Sequence, residues 1–180
     1  WYFFTWGNQD VMELQRNMKF YGMLDMLPGP VTYYDVQKLY SITYDDGIRR
    51  CALEHAIDEL QIEKKYGFHR ALADAYYTAE VLKKLNNVII VNHPSLDVYQ
   101  NPKKKKDEIH ISYPDYDKYV SREFAVREKI MKDREVTSTR CPICHKPAKR
   151  KIRWFMNNPK VYYSVSTCEE HGLIRGKIRI

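Results

Sequence analysis

The sequence predicts an α/β domain followed by a small β module, on three observations. An apolar aromatic run, Tyr2-Phe3-Phe4-Thr5-Trp6, stops at Gly7-Asn8 and gives way to helical spacing. Two later segments carry apolar or small residues at i, i+3, i+4 and i+7, the pattern of helices with one buried face. Beyond residue 140 the pattern changes to strand-like runs set between two pairs of Cys and His residues.

Taken in order, residues 2–6 read as a buried strand and the helix after it begins near Asp10, running through Val11, Leu14 and Met18. Leu27-Pro28-Gly29-Pro30 breaks the chain. Val31-Thr32-Tyr33-Tyr34 reads as the next strand, with Asp35 as N-cap of a helix through Val36-Gln37-Lys38-Leu39. From Arg50 to Glu63, Leu53, Ala56, Ile57 and Leu60 fall on one helix face. A second helix, Ala71 to Leu85, carries Ala71, Ala75, Thr78, Ala79, Leu82 and Leu85 on a face whose small residues permit close packing on a sheet.

Residues 93–136 read as a linker and a short docking helix. Pro94, Pro102, Pro114 and the Lys103–Lys106 run suit exposed chain. Ser121-Arg122-Glu123 resembles the cap of a helix ending near Arg134 and docked by Phe124, Ile130 and Met131. The expected division is therefore a first domain over 1–92, this connection, and a module over 137–180.

The chain carries a net charge of +7, unevenly placed. From Arg140 onward ten Lys and Arg face only Glu169 and Glu170, so all the excess positive charge sits in the C-terminal module. Such a segment favours a polyanion, most often nucleic acid. No stretch approaches the ~18–20 apolar residues of a membrane span. Of four cysteines, three stand together in the C-terminal module and Cys51 stands alone. This is no disulfide framework, and a reducing cytoplasm is the expected location.

Cys141-Pro142-Ile143-Cys144 and Cys168-Glu169-Glu170-His171 each place two residues between ligands, as a tetrahedral Cys₃His zinc site requires. His145 is a competing ligand placed awkwardly beside Cys144. Gly172 suits the turn of the second knuckle. The intervening runs 151–155 and 161–165, separated by Asn157-Asn158-Pro159, and a third run over 174–180 complete the description of a zinc ribbon. So small a module draws much of its folding free energy from a structural zinc. Lys149, Arg150, Lys151, Arg153, Lys160, Arg175 and Lys177 are the candidate phosphate contacts, with Trp154 or Tyr162 to stack on a base. The same ribbon could instead brace the first domain or bind a protein.

The first domain carries two motifs. Phe68-His69-Arg70-Ala71-Leu72-Ala73-Asp74 puts a carboxylate on a helix and a histidine on the segment before it. Thr5-Trp6-Gly7-Asn8-Gln9-Asp10 ends a strand in a tight turn and delivers a carboxylate to a helix start. Together with Asp35-Val36-Gln37-Lys38-Leu39-Tyr40 between them, these resemble, in the right order over residues 2–86, the second and third motifs of DnaQ-like DEDDh 3′→5′ exonucleases. The second motif is similar to that of the members that trim RNA ends.

The resemblance implies a ribonuclease H-like domain, a mixed sheet flanked by helices. It implies two Mg²⁺ or Mn²⁺ ions about 4 Å apart acting on the 3′ end of DNA or RNA. Asp74 would be a direct ligand, Asp10 would lie near the second ion, and His69 would be the general base, a role suited by a pKa near neutrality. The family's first motif, Asp-x-Glu, does not occur before Trp6 in these 180 residues. The expectation is thus a chain that begins inside a strand of a longer protein and is inactive as it stands. A non-catalytic zinc-ribbon nucleic-acid-binding protein on a degenerate exonuclease scaffold is the alternative.

Overall fold

The opening aromatic run pairs in parallel with the strand that the Pro-Gly-Pro break precedes. In the computed structural model, which describes residues 2–97 and 99–180 (the side chains of residues 127, 128 and 135 excepted), the chain divides into Trp1–Gln100 and Asn101–Ile180. Trp1, counted with the opening run, lies outside the described residues. Each unit is an α/β arrangement around its own mixed sheet.

In the first unit, β1 (Phe3–Thr5) leads through Gly7 into α1 (Gln9–Phe20). Then β2 (Thr32–Asp35) leads directly into α2 (Val36–Tyr44). The order continues with α3 (Leu53–Glu59), α4 (Ala71–Lys84), α5 (Asn87–Asn92) and β3 (Ser95–Leu96). β1 and β2 are parallel, with Phe3 opposite Tyr33 and Thr5 opposite Asp35, and β3 closes antiparallel on β2. Alternation along a strand sends neighbours to opposite faces. Tyr33 accordingly packs with Phe3, Val11 and Val31, while Tyr34 packs with the larger cluster of Val36, Leu39, Ala56, Ile57, Ala73, Tyr77 and Val81. Helices thus lie on both sides of the sheet. Of the rings considered for base stacking, Tyr77 is fully buried and its hydroxyl both donates to and accepts from the Tyr66 backbone. Trp6 and Tyr76 are half-buried against the same core.

The helices form where the spacing placed them, α1 and α2 reaching beyond the residues expected and α3 and α4 ending short. The 50–63 segment is helical only over Leu53–Glu59. Residues 95–100, expected in the linker, belong to the first unit. There Gln15 Nε2 donates to Asp97 Oδ2 at 2.6 Å, and Gln100 donates to both Gln15 and the Leu27 carbonyl. This network is buried and polar, and hydrophobic periodicity carries no signal for it.

The second unit corrects the expected linker more strongly. Residues 109–123 form β4 (Ile109–Ser112) and β5 (Asp117–Glu123). They join β6 (Lys149–Asn158), β7 (Val161–Cys168) and β8 (Gly172–Arg179) in one five-stranded sheet of order β4-β5-β8-β7-β6. β5 lies parallel to β8, Asp117 opposite Ile174 and Val120 opposite Lys177. Ser121 is therefore a buried strand residue and not a helix cap. Two short helices, α6 (Arg127–Lys132) and α7 (Arg134–Thr137), follow it. Phe124 and Ile130 dock as expected, with Val136, Tyr162 and Ile178, whereas Met131 faces solvent. The pairing that overrode the helix reading spans more than fifty residues, and local capping patterns do not see it. No described helix is long and apolar enough to cross a membrane.

Candidate functional site

The first constellation is assembled at the C-terminal ends of β1 and β2. Gly7 turns the chain with φ +92°, a conformation that L side chains rarely adopt. Asp35 Oδ1 accepts the Gly7 N–H at 3.1 Å and also caps α2 by accepting the Lys38 N–H at 3.0 Å. The Thr5 hydroxyl donates to the Gly7 carbonyl at 2.6 Å. This turn delivers Asp10 into the first turn of α1, and α4, which packs on β1, carries Asp74 in its own first turn.

Asp10 senses the charge of Asp74. The Asp10 carboxyl is held above its ordinary range, first by partial loss of water and then by the negative charge of Asp74. This happens although a helix N-terminus favours the ionised form. Asp74 Oδ1 in turn accepts the His69 backbone N–H at 3.3 Å, tying the segment before α4 to the carboxylate. His69 has φ +64°, which is uncommon for a residue with a side chain, and its ring is exposed to solvent. Asp74 is thus near enough for its charge to act on Asp10, and it holds the backbone of His69. A carboxylate raised partly by another acid suits a divalent cation, whose charge would relieve the repulsion.

The second constellation sits in the second unit. The ligand atoms of Cys141, Cys144, Cys168 and His171 all lie within 4.8 Å of one another. Cys144 and Cys168 sulfurs are 3.6 Å apart, and His171 Nδ1 lies 3.5 Å from Cys141 Sγ and 3.7 Å from Cys168 Sγ. A tetrahedron with Zn–S bonds of about 2.3 Å has edges of about 3.7 Å, so the four atoms match a metal such as zinc. Among the described residues this is the one group of three or more Cys, His or acidic residues so placed.

The second knuckle favours thiolate at Cys168. Cys168 is pushed down to about 6, chiefly by the Glu170 backbone N–H, against desolvation and with help from His171 and Cys144. At Cys144 the Lys146 backbone N–H also favours thiolate, but desolvation and the neighbouring sulfurs outweigh it and raise the thiol. His145 adopts φ +58° and donates its backbone N–H to the Cys141 carbonyl, so it builds the first knuckle and His171 supplies the nitrogen. Gly172, at φ +82°, makes the turn expected of it.

The basic residues divide between two places. Lys149, Arg150, Lys151 and Arg153 lie along the exposed edge strand β6, and Lys160 sits in the β6–β7 turn. Arg175 and Lys177 share one face of β8 with Arg179. Lys118, read as linker from sequence, stands opposite Arg175 on β5. Lys177 is pushed down to about 8 by desolvation and by the charges of Arg179 and Lys118. Arg175 lies 3.9 Å above the Tyr116 ring. The two rings expected to stack on bases have other work. Tyr162 is buried, and Trp154 donates Nε1 to the Thr137 carbonyl while covering Gly176 so closely that an added Cβ would meet its ring at 2.5 Å.

No protein family, curated protein or solved structure matches this chain.

Proposed function

We propose that the protein is a metal-dependent 3′→5′ exonuclease of the DEDDh type, with a zinc-stabilised basic unit that grips the nucleic-acid substrate. The observation that carries the reading is the Asp10–Asp74 pair, in which each acid comes from a different motif and Asp10 is raised first by burial and then by the charge of Asp74. In this reading Asp10 and Asp74 would hold divalent cations, whose charge would offset that on the scissile phosphate. Asp74 also positions the His69 segment through its backbone. The exposed His69 imidazole takes the proton from the attacking water. Asp35 keeps the Gly7 turn, and hence Asp10, in place.

In the second unit Cys141, Cys144, Cys168 and His171 hold a structural zinc, which ties the turn before β6 to the β7–β8 turn. The β6 and β8 cations then meet the phosphates of the strand, with little dependence on its sequence. The competing reading is a binding protein without catalysis, in which the basic residues of the second unit hold nucleic acid and the first unit does no chemistry.

The test is a nuclease assay of the full-length protein on 3′-labelled DNA and RNA oligonucleotides with Mg²⁺ or Mn²⁺. The nuclease reading expects stepwise loss of 3′ nucleotides. His69→Ala should reduce the rate by about 10²–10⁴-fold while leaving substrate binding in place. Binding without any cleavage, in either metal, favours the competing reading.

A further inference from the structure

We propose that the cavity formed by β4, β5 and the segment 134–145 of the second unit is a binding site for a nucleoside phosphate, separate from the carboxylate pair. Its volume is about 670 Å³, inside the range of about 300–1,000 Å³ typical of small-molecule sites. All its lining residues belong to the second unit.

The charge in this cavity is one-sided. Glu108 is the one acidic side chain among the described lining residues, and both of its oxygens are taken. Oε1 accepts from Arg122 at 2.7 Å, and Oε2 accepts from the Tyr119 hydroxyl at 2.9 Å. Arg122 is itself shared with Asp133 at 2.5 Å. Glu108 and Asp133 around Arg122 carry one net negative charge, which the Lys105, Arg134 and Arg140 side chains of the lining outweigh. Arg140 spends one N–H on the His145 carbonyl, which fixes the side chain and leaves its other donors available. Guanidinium forks of this kind suit a phosphate's oxygens.

The cavity also offers rings. His110 and Tyr119 are partners in the β4–β5 register, and their rings lie 5.0 Å apart at 34°. Both line the cavity, and the Tyr119 ring is locked by its bond to Glu108. A fixed aromatic pair beside a cluster of guanidinium groups fits a ligand that joins a flat base to a phosphate, and not a phosphate alone. The ligand can be a free nucleotide or one nucleotide of a strand.

Binding is measured by isothermal titration and amide NMR on the zinc-loaded full chain, with AMP, adenosine, inorganic phosphate and a 5′-phosphorylated pentanucleotide as separate ligands. The expected result is saturable AMP binding that shifts the amides of His110 and Thr139. Adenosine and phosphate should each bind at least tenfold more weakly. Arg134→Gln with Arg140→Gln should weaken AMP at least tenfold, with zinc content and thermal midpoint unchanged. His110→Ala, on a solvent-facing ring, gives a second variant should the first pair fail to fold. A much tighter pentanucleotide assigns the cavity to a strand, and equal affinities assign it to the free nucleotide. The proposal is overturned if neither AMP nor the pentanucleotide saturates at millimolar concentration, or if both bind the variants as well as the wild type. It is also overturned if phosphate binds as tightly as AMP. Asp74→Asn should leave this binding untouched, so failure here and failure of the exonuclease reading are told apart.

Discussion

The Asp35 carboxylate accepts a hydrogen bond from the Gly7 backbone N–H at 3.1 Å, joining the β1–α1 turn to the β2–α2 junction. The same oxygen caps α2 through Lys38. One largely buried side chain therefore holds two adjacent strand-to-helix turns, including the one that sets Asp10. Asp35→Ala removes a cap and leaves a partly buried N–H without its acceptor. A loss of about 1–3 kcal/mol is expected in urea unfolding. Asp35→Asn, which keeps an acceptor oxygen, should lose less.

Asp10 gives a prediction with opposite signs for stability and function. Its folded pKa lies above the unfolded value of 3.8, so the folded chain binds the proton more readily. The penalty is present in full at neutral pH and is relieved as pH falls through the folded pKa toward 3.8. Asp10→Asn should thus raise the thermal midpoint of the cation-free protein at pH 7 by about 1–3 °C. It should also abolish the stabilisation that added Mn²⁺ gives the wild type. Calorimetry with and without the cation checks both.

Lys177 carries the reverse linkage. Its folded pKa of about 8 lies below the ordinary 10.5, so the cost of its charge is present in full below pH 8 and disappears as pH rises to 10.5. Lys177→Met should stabilise the protein by about 1 kcal/mol at pH 7, a figure reduced for solvent screening. The gain should shrink steadily between pH 8 and 10.5, as denaturant midpoints across that range will show. If this face meets phosphates, the same variant binds oligonucleotides more weakly and with a shallower salt dependence.

With zinc held by the Cys₃His cluster as proposed, its removal should unfold the β7–β8 end of the second sheet. The cluster links the turn before β6 to the β7–β8 turn, and metal binding supplies folding free energy directly. Chelation, or Cys168→Ser, is expected to cost about 5 kcal/mol or more of that unit's stability. Hydrogen exchange should show lost protection in β7 and β8 while α2 and α4 of the first unit stay protected.

Much of the first unit was legible because its signals are local. The strand before Gly7, the Asp35 cap and the alanine-rich helix bearing Asp74 all follow from short-range chemistry. The Cys₃His cluster was legible for the same reason, since two-residue spacings within each knuckle fix the ligand pairs. What escaped the sequence was non-local. Lys118 joins Arg175 and Lys177 only through the parallel β5–β8 register, and the stretch containing Lys118 resembles a polar linker until that pairing is known. Gln15 and Asp97 lie far apart in the chain and meet in a buried hydrogen bond that no periodicity announces. Trp154 and Tyr162 read as stacking rings, yet the sheet uses both for packing.

Whether Asp10 and Asp74 form one cation site is tested most directly by Mn²⁺ broadening of the amide NMR spectrum of the zinc-loaded protein. A shared site predicts that the first turns of α1 and α4 broaden together at a single saturating Mn²⁺ concentration, and that Asp74→Asn removes the effect from both. Broadening of one helix without the other, or broadening that survives Asp74→Asn, would contradict it.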